Sequence, residues 1–74
     1  MTTKLLRDAG EALYGPHWQS DLARAMEMSP RHMRRLAAGA ADLTPGMASD
    51  LWHIAKQHIA ALDEIAARLK KAAE

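Results

Sequence analysis

The sequence has no cysteine, phenylalanine or valine, and only three of its 74 residues are aromatic. Without cysteine, the chain has no disulfides, thiolate zinc sites or cysteine nucleophiles, which suits a reducing compartment. No apolar run approaches the roughly 20 residues that span a bilayer, and no apolar signal segment follows the N-terminus. These absences predict a cytoplasmic protein with no membrane partner.

The apolar content is high but consists largely of small side chains. Hydrophobic residues make up 49% of the chain, and sixteen of them are alanine. A domain of this size buries only about 60% of its unfolded surface, so its core is marginal unless an interface adds burial. Ten basic and nine acidic residues nearly cancel, so the position of the charges matters more than their sum.

Helix-forming residues dominate and β-branched residues are rare, which predicts an all-α fold. Gly15-Pro16 ends a first helix, Ser29-Pro30 and Thr44-Pro45 each start one, and Gly39 follows the end of another. The predicted helices cover about 3–14, 18–26, 30–38 and 45–73. The expected fold is therefore a four-helix compact domain with two short central helices and a long C-terminal helix.

The first helix has an apolar stripe at helical spacing. It consists of Leu5, Leu6, Ala9, Ala12 and Leu13.

The segment 19–39 has the features of two short helices that cross steeply. Ala23 provides the small residue needed at the crossing, and Ser29 provides an N-cap for the second helix. The apolar residues predicted to face the core are Leu22, Met26, Met28, Met33 and Leu36. At these positions the segment resembles the helix-turn-helix of the Cro/repressor (XRE-like) superfamily. Glu27 stands where these proteins usually have glycine, which costs about 1 kcal/mol if the residue is left-handed.

The predicted third helix is basic on one side only. At about 100° per residue, Arg31, Arg34 and Arg35 fall within one sector, whereas Met33 and Leu36 fall on the other side. An exposed arginine face is commonly just a solvated surface. Here it belongs to the second helix of a helix-turn-helix pattern, the helix that enters the major groove in such proteins.

The resemblance, which covers about residues 3–58, implies a set of DNA-contacting residues: Gln19, Ser29, Pro30, Arg31, His32, Arg34 and Arg35. Arg31 and Arg35 match base-reading positions, where an arginine binds guanine O6 and N7, and Arg34 matches a phosphate-binding position. Gln19 matches a residue that bonds a backbone phosphate. Pro30 offers only an apolar contact, and His32 is equally well explained as a half-exposed surface residue.

The last predicted helix carries an apolar stripe that is longer than the domain. From position 48 to 73, apolar residues (alanine or larger) recur at spacings that alternate between four and three, a period of 3.5. Leu51, Trp52 and Ile54 are expected to cover the two short helices, while the second half overhangs. Exposed stripes of this kind are normally partner surfaces. The predicted dimerisation residues are Ile59, Leu62, Ile65, Ala66 and Leu69.

Two alternatives concern this tail. A bend near 56–58 would fold the tail back onto the first helix and remove the overhang. If the helix is straight, residues 1–58 form the DNA-binding domain and residues 59–74 form a dimerisation extension.

The sequence offers little for catalysis or metal binding. His53 and His58 are about 140° apart on a helix and do not share the i, i+4 face of paired ligands. No glycine-rich phosphate loop or nucleophile signature is present. We therefore predict no enzyme activity, metal, cofactor or small-molecule substrate.

The resemblance implies a homodimeric transcriptional regulator, most simply a repressor, which reads a palindromic operator in double-stranded DNA through Pro30–Ala38. The chain is also similar in length to phage, plasmid or prophage regulators, and its amino-acid composition, rich in alanine and arginine, resembles that of proteins from high-GC bacteria. The alternative is an antitoxin or adaptor whose tail helix binds a protein partner, with the basic helix incidental.

Overall fold

A computed structural model describes residues 2–74, with side chains from Thr3 onward, and this part of the chain contains four helices and no strand. The helices are α1 (Thr2–Tyr14), α2 (Trp18–Ala25), α3 (Pro30–Ala37) and α4 (Pro45–Ala73). The predicted all-α, four-helix fold is confirmed, and every boundary lies within one residue of its expected position.

Two helices begin at the predicted caps. The Ser29 hydroxyl accepts a hydrogen bond from the His32 backbone N–H at 3.1 Å, and the Thr44 hydroxyl accepts one from the Met47 N–H at 3.1 Å. A proline follows each cap in the first turn, where its missing N–H costs nothing. The starts of α3 and α4 are therefore encoded locally.

The C-terminal ends of α2 and α3 have the same geometry. At α3, Gly39 has φ +82°, and the Gly39 and Ala40 N–H groups donate to the carbonyls of Leu36 and Arg35. At α2 the equivalent left-handed residue is Glu27, with φ +54°. Glu27 is therefore left-handed, and the cost of about 1 kcal/mol relative to glycine applies.

The core lies among α1, α2, α3 and the first two turns of α4. It contains nine buried hydrophobic residues: Leu6, Trp18, Leu22, Ala23, Met33, Leu36, Ala37, Leu43 and Leu51. Leu22, Met33 and Leu36 are buried as predicted, and Met26 and Met28 are half-buried against them. The predicted core of the two central helices is confirmed.

The predicted apolar stripe of α1 is partly wrong. Leu5 and Ala12 are exposed, and the buried positions are Leu6 and Gly10. A Cβ at Gly10 would overlap the indole ring of Trp18, so the indole packs directly against the α1 backbone. This close approach turns the Gly10 face of α1 toward the core and Leu5 toward solvent.

Trp52 also differs from its expected position, because it is 58% exposed rather than covering the central helices. Its neighbours Leu51 and Ile54 are buried and half-buried as expected. Since 51 and 54 are three residues apart, they share one side of α4, and Trp52 projects about 100° away from Leu51.

α4 is a continuous helix of 29 residues, and the alternative of a bend at 56–58 is wrong. Residues 59–74 are all exposed. The molecule is correspondingly elongated, with principal extents of 49 × 22 × 22 Å.

Within residues 2–74, no helix combines the length and apolar character required to span a bilayer.

Candidate nucleic-acid interface

α3 has one buried face and one basic face. Met33, Leu36 and Ala37 are buried, whereas Arg31, Arg34 and Arg35 are exposed. The helical spacing that places the apolar residues in the core therefore directs all three guanidinium groups outward.

The three arginines are not neutralised by the protein. None of them forms an ion pair within the described residues; the two ion pairs found there join Lys4 to Asp8 at 2.9 Å and Arg24 to Asp21 at 3.4 Å. The hydrogen bond from Lys4 to Asp8, together with the charge of Asp8, raises the pKa of Lys4 above its usual value. Lys4 and Arg24 are thus engaged locally, whereas the three α3 arginines are not.

The other predicted contact residues occupy the start of α3 and, separately, α2. Ser29 and Pro30 are exposed in the first turn of α3, and His32 is partly buried beside them. Ser29 accepts the capping hydrogen bond and retains its hydroxyl hydrogen for a further acceptor. Gln19 lies exposed in the first turn of α2, one helix away from the arginines.

Arg7 is a basic residue near this surface that the sequence does not single out. Its Nη2 atom donates a hydrogen bond to the Ala37 carbonyl oxygen at 3.4 Å, at the end of α3. The guanidinium is exposed and connects α1 to the last turn of the basic helix. Its 30-residue separation from Ala37 leaves no local signal in the sequence.

The predicted dimerisation residues form an exposed apolar stripe on the second half of α4, apart from the basic face. The exposed fractions are 51% for Ile59, 66% for Leu62, 45% for Ile65 and 64% for Leu69, and Ala66 is also exposed. Ile59 and Leu62 also line a groove of about 260 Å³ between α4 and α1, together with Ala9, Ala12 and Leu13.

A contact that the sequence did not indicate holds α4 at the base of this stripe. The Tyr14 ring meets the His58 ring edge-on at a centroid distance of 5.3 Å, and Tyr14 Oη lies 3.5 Å from His58 Nε2. The end of α1 is therefore attached to the point where α4 leaves the core.

Within residues 2–74, the structure has no group of three or more His, Cys, Asp or Glu side chains that could hold a metal ion. The described residues present two surfaces for binding: a basic face on α3 whose arginines form no ion pair, and an exposed aliphatic face on α4.

No protein-family model, curated protein or solved structure matches this chain.

Proposed function

We propose that the protein is a sequence-specific DNA-binding transcriptional regulator, a homodimer that inserts α3 into the major groove and represses by occupying a palindromic operator. The observation that carries this proposal is the unpaired face of Arg31, Arg34 and Arg35 on a short helix whose opposite side is buried. Within the described residues none of these three cations forms an ion pair, so all of them are open to an anionic partner.

The dimensions of α3 agree with this role. An α-helix with its side chains is about 10–12 Å across, and the major groove of B-DNA, about 12 Å wide, admits a helix of that diameter. Arg31 and Arg35 lie one turn apart on the exposed side, so both reach base edges from one docking position. Arg34 lies on the flank, where a phosphate is the closer target.

A homodimer is part of the proposal because one short helix contacts too few base pairs for a unique site. Two helices that read half-sites about 34 Å apart, or a multiple of that distance, double the site and make it palindromic. The exposed α4 stripe is the apolar surface available for this association.

The test begins with selection of binding sequences from random duplexes, followed by titration of the selected duplex and a scrambled one. We expect a palindromic consensus. Arg31→Ala and Arg35→Ala should each lose about 1–3 kcal/mol on the selected duplex and little on the scrambled one, as for a lost base contact. Arg34→Ala should weaken both duplexes and reduce the salt slope by about one unit.

Lys56→Ala is the control, because Lys56 is an exposed basic residue on α4 that lies outside both the basic face and the 59–74 dimerisation segment. It should leave the binding of both duplexes unchanged. If all four variants bound every duplex like the unmodified protein, the basic face would not be a DNA-binding surface. The adaptor alternative, in which the tail binds another protein, would then be favoured.

A further inference from the structure

The chain exposes more surface than a compact monomer of its size. A folded monomer of 8.1 kDa exposes about 4500 Å², whereas this chain exposes 5558 Å². Its radius of gyration is 14.3 Å, against about 11 Å for a compact chain of this length. The excess of about 1000 Å² is close to the 800 Å² or so that each partner buries in a standard interface.

The α4 tail, whose residues 59–74 are all exposed, contributes to this excess of exposed surface. Its apolar stripe has a regular pattern of side-chain sizes. Along the stripe, large and small residues alternate at the coiled-coil spacing: Leu62, Ala66, Leu69 and Ala73. In this segment the leucine side chains protrude, and each alanine leaves space for a large side chain of a partner.

We propose that residues 62–73 of α4 pair antiparallel with the same residues of a second copy, in a register that places Asp63 beside Lys70 of the partner subunit. The pairing rests on the homodimer of the proposed function and specifies its geometry. A two-fold axis then crosses the helices between positions 67 and 68, and the two core domains lie at opposite ends of the paired tails.

Side-chain volume favours this register. It sets Leu62 against Ala73 of the partner subunit, and Ala66 against Leu69 of the partner subunit, so each layer has one large and one small residue. A parallel pair would instead place alanine on alanine and leucine on leucine. Alanine layers between leucine layers leave voids, and voids in an apolar seam cost stability.

Charge favours the same register independently. Asp63 and Lys70 lie on the same edge of the stripe, and neither forms an ion pair within the described chain. Asp63 has no basic residue three or four positions away, so its own helix provides no partner. The proposed register creates two symmetric Asp63–Lys70 pairs between subunits, whereas a shift of one heptad toward the N-terminus brings the two Asp63 carboxylates together.

The test measures the dimer dissociation constant by sedimentation equilibrium at low salt, without DNA. Asp63→Lys and Lys70→Asp should each raise the dissociation constant about tenfold, because two attractions become two repulsions. The double exchange Asp63→Lys/Lys70→Asp should restore the original value. These positions are exposed, and circular dichroism should show unchanged helix content in all three variants.

The matched control uses Glu64 and Lys71, which have the same charges and the same seven-residue spacing but lie on the opposite side of α4. Glu64→Lys and Lys71→Glu should leave the dissociation constant unchanged. An equal loss in this control pair, or a double exchange at 63 and 70 that fails to restore pairing, would overturn the proposed register.

Cross-linking tests the direction of pairing, since the chain has no cysteine of its own. An oxidised equimolar mixture of Leu62→Cys and Ala73→Cys proteins should give mainly the mixed 62–73 disulfide. In the proposed register these two positions face each other, whereas the same position in two identical subunits is about 16 Å apart, too far for a disulfide. A predominance of 62–62 and 73–73 disulfides would establish a parallel pair, and a full-length chain that stays monomeric would overturn the pairing altogether. Because no arm contains DNA, a failure here is distinct from a failure of the arginine test.

Discussion

Gly10 leaves room in α1 for a residue of α2, because the indole ring of Trp18 occupies the space that a side chain at position 10 would need. Gly10→Ala would normally stabilise a helix interior by about 1 kcal/mol. Here we expect a net loss of about 1–3 kcal/mol in the free energy of unfolding, since the methyl group overpacks the core. Urea titration monitored by circular dichroism measures this change.

Gly46→Ala is the control for this prediction. Gly46 is also in a helix, but the nearest atom to an added Cβ is the Thr44 hydroxyl oxygen at 3.9 Å, an ordinary contact. We expect this variant to be neutral or more stable by up to about 1 kcal/mol. Equal stability of the two variants would contradict the close approach of Trp18 to α1.

Glu27 is a second residue whose backbone determines its effect on stability. Its φ of +54° lies in the region that glycine occupies without strain. Glu27→Gly should therefore stabilise the protein by about 1 kcal/mol, a rise in Tm of about 4–8 °C for a domain of this size. Differential scanning calorimetry provides the measurement.

Glu27→Ala separates the backbone effect from the loss of charge. Alanine removes the carboxylate but keeps the Cβ that is strained in a left-handed conformation. We expect no rise in Tm for this variant. A rise equal to that of Glu27→Gly would show that charge, not conformation, limits stability at this position.

At the scale of helices, the orientation of the basic face depends on how α2 packs against α3. Ala23 is 2% exposed and belongs to the core that joins the two helices. Ala23→Leu should cost about 1–3 kcal/mol of unfolding free energy, because the larger side chain forces the helices apart. DNA binding should fall with it, although Ala23 itself is buried in the core.

Ala25→Leu is the matched control, since Ala25 lies on the same helix but is exposed. It should retain the stability of the unmodified protein within about 0.5 kcal/mol. Chemical denaturation of both variants at one protein concentration makes the comparison. Similar stabilities for the two variants would place the helix crossing elsewhere.

At the scale of the whole molecule, the buried core ends before the exposed second half of α4 begins. The last buried residue is Leu51, and the Tyr14–His58 contact lies at the boundary with the exposed tail. Truncation after His58 should therefore leave a folded monomer whose Tm does not depend on concentration. The full-length chain should show a Tm that rises with concentration, because dimer formation stabilises the folded state by mass action.

Leu62→Glu should behave like the truncated chain, since it places a charge in the apolar stripe. Ala67→Glu, on the outer side of the same helix, should retain the concentration dependence. Thermal melts over a wide concentration range, monitored by circular dichroism, test all four proteins. A concentration-independent Tm for the full-length chain would contradict self-association through the tail.

Local chemistry made much of the fold predictable. A cap hydroxyl, a following proline and a left-handed residue act over three to six positions, so the helix boundaries were predictable within one residue. The opposition of Met33 and Leu36 to the three arginines of α3 also follows from helix periodicity alone. The DNA-binding and dimerisation roles of these faces remain proposals, since periodicity identifies a face but not its partner.

The sequence by itself determined the four helices, their ends and the two-sided character of α3 and α4, because each depends on residues within one or two turns. Only the tertiary structure decided that α1 buries Leu6 and Gly10 rather than Leu5, that Trp52 faces solvent, and that α4 runs straight past the core. It also brought Arg7 to Ala37 and Tyr14 to His58, contacts between residues 30 and 44 positions apart. The physical reason is that such contacts depend on how whole helices dock, which is set by the summed packing of the core and not by any local pattern.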